Sequence, residues 1–276
     1  MPPLLREVAF QALSRGGTFR GLAPAFARSR AIVDSLACLF LPADCRICRQ
    51  PLECFSAVPV CAACLAAPQP YRGAECVSCG LFFPGPANRE QTLTCASCRH
   101  HPFVFEQARS FAAYEGTLAA LIQRLKYDGY RPLAKPLGRY LAHAVERLRV
   151  SSFDLLLPVP LHPRRQRQRG FNQATVLASR LSSLLAVPLA AKDCVRVRDT
   201  LPQTRLRSEE RRKNVAGAFH VPDPRRVRGR RVLLVDDVLT TGATANACAD
   251  ALRKGGAAGV WVVTLARARD AAGDGV

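Results

Sequence analysis

Arg231-Val-Leu-Leu-Val-Asp-Asp-Val-Leu-Thr-Thr-Gly-Ala-Thr244 is the stretch of this sequence that indicates its fold. Its first part, Val232 to Val235, is an unbroken run of branched apolar residues, which is typical of a strand buried on both faces in a parallel sheet. Asp236 and Asp237 follow at the carboxyl end of the predicted strand. The next residues turn the chain into an alanine-rich helix that runs to about Lys254. The stretch therefore predicts a strand, an acidic pair and a helix N-terminus in succession.

The turn into this helix suits a phosphate group. The first amides of a helix lack partners within the helix, and the helix dipole favours an anion at this end. Gly242 allows the backbone to approach a ligand closely. The carboxylates of Asp236 and Asp237 can accept hydrogen bonds from ribose hydroxyls or hold Mg²⁺. The combination predicts a site for a phosphorylated sugar, and the alternative is a solvated acidic pair before a threonine-capped helix.

Residues 232–244 resemble the phosphoribosyl pyrophosphate (PRPP) motif of type I phosphoribosyltransferases. The resemblance implies that Asp236 and Asp237 hold the ribose and are the candidate catalytic residues. It also implies a 5′-phosphate loop made of Thr240, Thr241, Gly242, Ala243 and Thr244. Purine-salvage enzymes of the hypoxanthine type carry an acidic residue where Thr240 stands, so a hypoxanthine-type reaction is disfavoured. GxxxxGK[ST] is absent and no GxGxxG lies at a strand–helix junction, which disfavours nucleoside-triphosphate and dinucleotide sites.

Strands and helices alternate on both sides of this motif. Residues 116–127 carry Leu118, Leu121, Ile122 and Leu125 at helical spacing. The predicted helices are 116–127, 133–148 and 171–185, and the predicted strands are 105–114, 154–160, 195–198, 218–221 and 259–266. This alternation predicts an α/β fold with a doubly wound parallel sheet, in which ligands bind beyond the carboxyl ends of the strands.

Basic residues lie in two places where a pyrophosphate could bind. Arg164 and Arg165 begin an arginine series that follows a proline-constrained turn, and guanidinium groups fork onto phosphate oxygens. Lys126 and Tyr127 end the first predicted helix before a glycine. The functional interpretation is a pyrophosphate site, and the alternatives are a solvated basic loop and an ordinary helix end. His162 is assigned no catalytic role.

A long polar segment, residues 199–217, precedes the central strand. It fits a mobile lid that keeps water from a reactive sugar, and the alternative is a charged surface helix. The basic run from Arg225 to Arg231 follows it and indicates a solvated or nucleic-acid-facing strip. The whole chain has 40 basic and 21 acidic residues and a net charge of +19, which favours polyanionic partners.

The cysteines predict metal centres. Of the 12 cysteines, eight form four CxxC pairs, and two such pairs complete a closed tetrahedral zinc site. The predicted ligands are Cys45, Cys48, Cys61, Cys64, Cys76, Cys79, Cys95 and Cys98. Pairing can be sequential or cross-braced on spacing alone. His100 and His101 could substitute as ligands but are assigned to a solvated junction.

Paired CxxC motifs indicate zinc rather than disulfides in a reducing cytosol. Residues 1–30 are interrupted by arginines and show no secretory signal, and the apolar stretch at 31–42 contains Asp34 and is too short to span a bilayer. We therefore expect a cytoplasmic protein without a membrane span. The predicted organisation is a basic tail at 1–30, a zinc module at 31–101, a phosphoribosyltransferase-like domain at 102–269 and a C-terminal tail at 270–276.

Together these motifs resemble the ComF family over about residues 31–268. The motifs that carry the resemblance are the cysteine module, Leu125-Lys-Tyr-Asp-Gly129, Pro158-Val-Pro160 followed by Arg169-Gly-Phe-Asn-Gln173, Gln203-Thr204, Arg212-Lys-Asn-Val215, Gly217-Ala-Phe219 and the PRPP motif. The resemblance implies a double zinc ribbon joined to a type I phosphoribosyltransferase-like domain, and a role in competence and DNA uptake. It implies PRPP with Mg²⁺ as ligand, and single-stranded DNA and other competence proteins as partners. The alternative is a non-catalytic nucleic-acid-binding competence factor that retains the transferase fold.

Overall fold

The computed structural model describes residues 43–52, 57–85, 93–200 and 214–268. The predicted basic tail and the apolar stretch at 31–42, for which the sequence predicts a short helix at 31–41, lie outside these ranges. Cys38 and Cys54 also lie outside them. Residues 201–213 of the predicted lid and the C-terminal tail also lie outside them. Within the described ranges, no helix has the length and apolar character needed to cross a membrane.

The chain divides into two compact units, residues 1–68 and 69–276. The described part of the first unit holds Cys45, Cys48, Cys61 and Cys64 and the short helix α1 (Ala62–Ala66). The second unit holds the other four paired cysteines together with the α/β domain. The predicted boundary at 101–102 instead groups all eight cysteines in one module.

The second unit contains the predicted alternation of strands and helices. Its elements in chain order are α2 (Ala96–His100), β1 (Gln107–Ala113), α3 (Gly116–Tyr127), α4 (Ala134–Val145), β2 (Leu155–Pro158), α5 (Pro163–Arg169), α6 (Gln173–Leu185), β3 (Val195–Arg196), β4 (Phe219–His220), β5 (Arg231–Leu239), α7 (Ala243–Lys254) and β6 (Gly259–Arg267). Short 3₁₀ turns occupy Arg131–Leu133 and Pro224–Arg226.

Four of these strands form one parallel sheet in the order β1-β6-β5-β2. β3 and β4 form a separate antiparallel pair. The central strand β5 begins the PRPP-like motif and β6 is the apolar run that follows it, and both are buried on both faces. The doubly wound parallel sheet is therefore confirmed.

Side-chain alternation in β5 explains the layers. Val232 and Leu234 pack in one apolar cluster with Cys248 and Leu252 of α7. Leu233, which is fully buried, points to the opposite side because successive residues of a strand alternate. There α6 packs on α4 and against β5. Helices thus cover both faces and leave the ends of the strands for ligands.

The segment before β1 covers the outer edge of the sheet. The amide of Ala108 donates to the Ser78 carbonyl at 2.7 Å, and the amide of Tyr71 donates to the Phe111 carbonyl at 2.8 Å. An edge strand otherwise presents unpaired backbone groups that invite aggregation. The second cysteine cluster therefore belongs to the α/β unit through backbone pairing.

Candidate functional site

The acidic pair lies inside β5. The strand was predicted to end at Val235, but it continues to Leu239. Asp236 is paired in register with Thr264 of β6, and the amides of Asp237 and Val238 donate to Asp236 Oδ1 and Asp237 Oδ1, each at 2.8 Å. The strand continues to Leu239 because these residues pair with β6. The hydropathy of residues 236–239 alone does not reveal this pairing. Both carboxylates thus lie near the carboxyl end of the sheet.

Lys126 lies against this pair. Lys126 lies in the C-terminal turn of α3, and its Nζ is 2.9 Å from Asp237 Oδ2. Burial lowers the pKa of the Lys126 ammonium, but Asp237 and Asp236 outweigh this effect and the pKa is raised. The sequence predicts that Lys126 contacts the pyrophosphate, and the structure shows that its ammonium also balances the charge of the acidic pair.

Asp236 is difficult to ionise in the absence of a ligand. Burial raises the pKa of its carboxyl to about 7, and the neighbouring Asp237 acts in the same direction. Lys126 and the amide of Asp237 act against this rise. A carboxyl with a pKa near neutrality is favoured as an anion when a cation or hydroxyl donors approach it.

The loop after β5 has the backbone geometry of an anion site. Gly242 precedes the first residue of α7 and has φ 77°, a left-handed conformation that favours glycine. A Cβ at this position would lie 2.9 Å from Cε1 of the Phe103 ring. The amide of Ala243 donates to Thr241 Oγ1 at 3.4 Å. The loop therefore brings the backbone of residues 240–244 to the N-terminus of a 12-residue helix.

The arginine series forms the helix α5 and not the predicted loop. Pro163 occupies the first turn of α5, the amide of Arg164 donates to His162 Nδ1 at 3.3 Å, and Gly170 ends the helix with φ 74°. Arginine and glutamine are good helix formers, and proline is tolerated in a first turn. These local signals outweigh the turn that the prolines suggest.

Arg164 and Arg165 meet at Asp199. The distances are 3.6 Å from Arg164 Nη1 to Asp199 Oδ2 and 3.9 Å from Arg165 Nε to Asp199 Oδ1. Arg165 Nη2 also donates to the carbonyl of Thr200. Both candidate pyrophosphate residues therefore hold the first residues of segment 199–217, and Arg164 remains 69% exposed.

Tyr127 is 68% exposed, the highest value among the large hydrophobic side chains of the described residues. The guanidinium of Arg169 lies over its ring, 5.6 Å from the centroid. The side chain of Gln173 donates to the carbonyl of Lys126 at 3.4 Å. The end of α3 thus contacts the start of α6. The motifs Leu125-Lys-Tyr-Asp-Gly129 and Arg169-Gly-Phe-Asn-Gln173 therefore lie side by side, as one shared site requires.

Arg196 of β3 is a site residue that sequence analysis missed. It is 6% exposed, it donates to Thr200 Oγ1, and its guanidinium lies 5.4 Å from the centre of the Phe219 ring. Burial and the nearby Arg165 lower the pKa of Arg196, whereas Asp199 and Asp236 act in the opposite direction. Arg196 therefore interacts electrostatically both with Asp236 of the acidic pair and with Arg165 of α5. Its only signal in the sequence is the alternation of Val195-Arg-Val-Arg198, which does not show which arginine points inward.

The ends of segment 199–217 are held together. Arg198 Nη2 donates to the carbonyls of Asn214 and Ala216 at 2.9 and 2.7 Å, and β3 pairs with β4. Gln203, Arg211, Arg212 and Lys213 lie outside the described residues.

The cysteines form two clusters, each made from consecutive CxxC pairs. The four sulfur atoms within each cluster lie within 4.8 Å of one another. In the second cluster the amide of Cys95 donates to Cys76 Sγ at 3.4 Å. His100 and His101 belong to neither cluster. Because each cluster combines two neighbouring CxxC pairs, the structure shows the sequential pairing and not the cross-braced one.

The sulfur environments fit a divalent cation. Burial raises the pKa of the Cys64 thiol to about 12, and neighbouring thiols add to this rise. Burial also acts to raise the pKa of Cys45, but backbone amides led by that of Cys61 lower it to about 6. Thiols at this spacing do not ionise together without a cation, whereas zinc stabilises four thiolates in a closed site. Within the described residues every cysteine is unbridged by a disulfide.

Comparison with known proteins agrees with these features. Residues 170–274 match the phosphoribosyl transferase domain family. DNA utilization protein YhgH of Salmonella typhi is 34% identical over 233 residues, which cover 83% of this chain and 99% of that protein. Competence protein F of Haemophilus influenzae is 36% identical over 179 residues, 63% of this chain and 78% of that protein. Competence protein ComFC of Bacillus subtilis is 27% identical over 220 residues, 75% of this chain and 84% of that protein.

Proposed function

Because the chain belongs to the ComF family of competence and DNA-utilisation proteins, which combine a double zinc ribbon with a type I phosphoribosyltransferase fold, we propose that it binds PRPP with Mg²⁺. One observation carries this proposal. Asp236 and Asp237 lie near the carboxyl end of a central parallel strand, which leads through Thr240 and Thr241 to a left-handed glycine and a helix N-terminus. Carboxylates and helix amides at this spacing suit the two ends of a ribose 5-phosphate.

Each part of the site has a role in this proposal. The carboxylates of Asp236 and Asp237 accept from the ribose hydroxyls, and the backbone of residues 240–244 holds the 5′-phosphate. Arg164 and Arg165 hold the pyrophosphate from one side, with Lys126 and Tyr127 on the other. Mg²⁺ would neutralise the charge of the pyrophosphate, and the carboxylates of Asp236 and Asp237 would hold the ion. The raised pKa of Asp236 fits a carboxyl that ionises when a cation binds.

A calorimetric titration of PRPP and Mg²⁺ tests the proposal. We expect the Asp236→Asn/Asp237→Asn variant to lose roughly 100-fold in affinity, because hydrogen bonds to charged groups contribute about 1.5–3 kcal/mol each. Asp250→Asn is the matched control, since Asp250 pairs with Lys254 on α7 at 2.7 Å and has no role in the proposal. Failure of the folded, zinc-loaded wild type to bind PRPP would overturn the proposal.

Transfer to an acceptor base is a separate question, which pyrophosphate release answers. PRPP-dependent release of pyrophosphate with one of the nucleobases identifies an acceptor and makes the protein a transferase. Binding without release assigns the site to PRPP recognition. In either case four thiolates around a metal favour a reducing compartment such as the cytoplasm, which is the location that we propose.

A second candidate function is nucleic-acid binding in support of DNA uptake or use. The observation that favours it is the exposure of four arginines before β5, namely Arg225, Arg226, Arg228 and Arg230. Arg225 and Arg226 already contact Asp223 and Asp193 at 2.9 and 2.7 Å, so DNA phosphates compete with these carboxylates.

Binding of a fluorescent single strand at several salt concentrations tests this function. If the arginines bind phosphates, affinity falls steeply with salt. Replacement of all four by glutamine then reduces the salt slope by about 0.7 for each phosphate that an arginine had neutralised. Asp236→Asn/Asp237→Asn should leave DNA binding intact. Affinity that does not depend on salt would exclude phosphate binding as its source.

A further inference from the structure

One guanidinium connects the second cysteine cluster to the loop that precedes α7. Arg267 is the last residue of β6 and is 3% exposed. In the sheet it is paired with Leu239 at the end of β5 and with Ala113 at the end of β1. This position is the carboxyl edge of the sheet, where the candidate ligand site lies.

The two ends of the guanidinium contact different structures. Arg267 Nη1 donates to the carbonyl of Leu239 at 3.4 Å and to the carbonyl of Thr240. Arg267 Nη2 lies 4.0 Å from Cys79 Sγ. Because the guanidinium is planar and rigid, a shift at the sulfur is transmitted to the first residue of the loop.

Phe103 makes a second connection at the other end of the same loop. Its ring packs against the apolar side of the second cluster. The ring also lies beside Gly242, so closely that a Cβ there would be 2.9 Å from Phe103 Cε1. Thr240 and Gly242 are therefore both supported from the side of the second cluster.

The charges favour the same coupling. Four thiolates around a divalent cation carry a net charge of −2, and a buried guanidinium next to Cys79 partly balances it. Loss of the metal removes this fixed anionic partner from Arg267. The carbonyl of Thr240, which begins the loop, then loses a well-placed donor, whereas the carbonyl of Leu239 keeps the amide of Ala268 at 3.0 Å.

We propose that Arg267 is a positioning residue that couples metal in the second cluster to PRPP at the 240–244 loop, so that each strengthens the binding of the other. This inference rests on the proposed PRPP site. Such coupling is reciprocal by thermodynamic necessity, and couplings of this kind are worth roughly tenfold in affinity. The first cluster, which belongs to the other compact unit, is not part of the coupling.

Zinc release from the full-length chain measures the coupling. A zinc-selective chelator that leaves Mg²⁺ in solution is added with and without PRPP, and release is followed optically. The Cys45→Ser/Cys48→Ser variant removes zinc from the first cluster, so that the remaining signal belongs to the second. We expect PRPP with Mg²⁺ to slow this release roughly tenfold relative to Mg²⁺ alone.

Two arginine variants make the test specific. Arg267→Lys keeps the charge but cannot span both contacts, so we expect roughly tenfold weaker PRPP binding by calorimetry and no effect of PRPP on zinc release. Arg109→Lys is the matched control. Arg109 is 4% exposed and donates to the carbonyls of Cys76 and Val77, but it lies on β1 away from the loop. This variant should release zinc faster and keep the full effect of PRPP.

The outcomes separate the inference from the proposed function. If the wild type does not bind PRPP, the proposed function fails and the inference fails with it. If the wild type binds PRPP but zinc release is unchanged, only the inference is overturned. It is also overturned if Arg267→Lys retains wild-type affinity and wild-type coupling, whereas loss of both in this variant alone supports it.

Discussion

Asp236 shows how a binding residue lowers the stability of the fold that carries it. Its carboxyl lies beside Asp237, and burial together with this neighbour raises the pKa to about 7. In the unfolded chain the same carboxyl titrates near 3.8. Between these values the folded chain holds a proton that the unfolded chain lacks, so stability falls as pH rises through this window.

Asp236→Asn should therefore stabilise the protein, and more so at higher pH. We expect the gain in the free energy of unfolding to grow by roughly 1 kcal/mol between pH 6 and pH 8, because the wild-type carboxyl ionises over this interval. Thermal or denaturant unfolding at the two pH values measures the gain. Asp250→Asn, which removes only a surface pair with Lys254, should change stability by less than about 0.5 kcal/mol at either pH. A variant less stable than the wild type at both pH values would contradict this explanation.

Arg196 and Lys126 show how charges from other elements adjust the acidic pair. Lys126 reaches Asp237 from the end of α3, and Arg196 influences Asp236 from β3. Neither residue is close to the pair in sequence. The site therefore holds both signs of charge before any ligand binds, which suits a ligand with hydroxyls at one end and phosphates at the other.

Among the elements, the β5–α7 connection sets the most specific geometric requirement. Gly242 combines a left-handed backbone with contact to the Phe103 ring. Gly229 has a similar φ, 69°, but an added Cβ there meets nothing within 4 Å. Substitutions at Gly229 and Gly242 therefore distinguish the effect of backbone strain, which both share, from the effect of contact with Phe103, which Gly242 alone of the two has.

Gly242→Ala should cost more than Gly229→Ala for this reason. We expect Gly229→Ala to lower the free energy of unfolding by about 1–2 kcal/mol through strain alone, with PRPP affinity unchanged. Gly242→Ala should add the clash with Phe103 and weaken PRPP binding at least tenfold as the loop shifts. Denaturant unfolding and calorimetry measure the two effects. Equal losses in both variants, for stability and for binding, would mean that the Phe103 ring has no influence.

The helix α5 has a different role from that expected of a loop. A helix fixes the directions of Arg164 and Arg165 relative to one another, and both reach Asp199 at the start of segment 199–217. A ligand phosphate that attracts these arginines competes with Asp199.

At the scale of the whole molecule, the second cysteine cluster behaves as part of the α/β unit. Glu75 contacts Arg109 Nε at 3.1 Å, and backbone bonds from residues 69–85 cover the edge of β1. Removal of zinc from this cluster should therefore destabilise the sheet domain. The sequence of residues 45–98 has few apolar residues and by itself predicts a separate module that depends on metal to fold. On that prediction, chelation melts residues 45–98 and leaves the C-terminal domain folded.

Two fragments test where the folding unit begins. Residues 69–276 should fold, hold one zinc ion per chain and bind PRPP like the full-length protein, because the unit boundary falls at 68–69. Residues 102–276 lack the cover of β1, the ion pair of Glu75 with Arg109 and the second cysteine cluster, so we expect this fragment to be less stable. Zinc content and thermal unfolding of both fragments distinguish them. Equal stability of the two would place the boundary at 101–102, as the sequence alone predicts.

The sequence by itself determined the fold class and most of the candidate site. Unbroken apolar runs in buried strands and a period of 3.6 residues in helices are local signals, so the order of strands and helices was predictable. The two four-cysteine clusters and the acidic pair were predictable because the spacing of such residues along the chain is part of their chemistry.

Only the tertiary structure decided which distant residues meet. The ion pair of Lys126 with Asp237, the inward direction of Arg196 and the contact of Arg267 with Cys79 each join segments far apart in the chain. The sequential pairing of the cysteines and the membership of the second cluster in the α/β unit have the same origin. Local patterns record the direction of a side chain within its own element, whereas packing between elements sets its partners, and a single sequence carries no local signal for that packing.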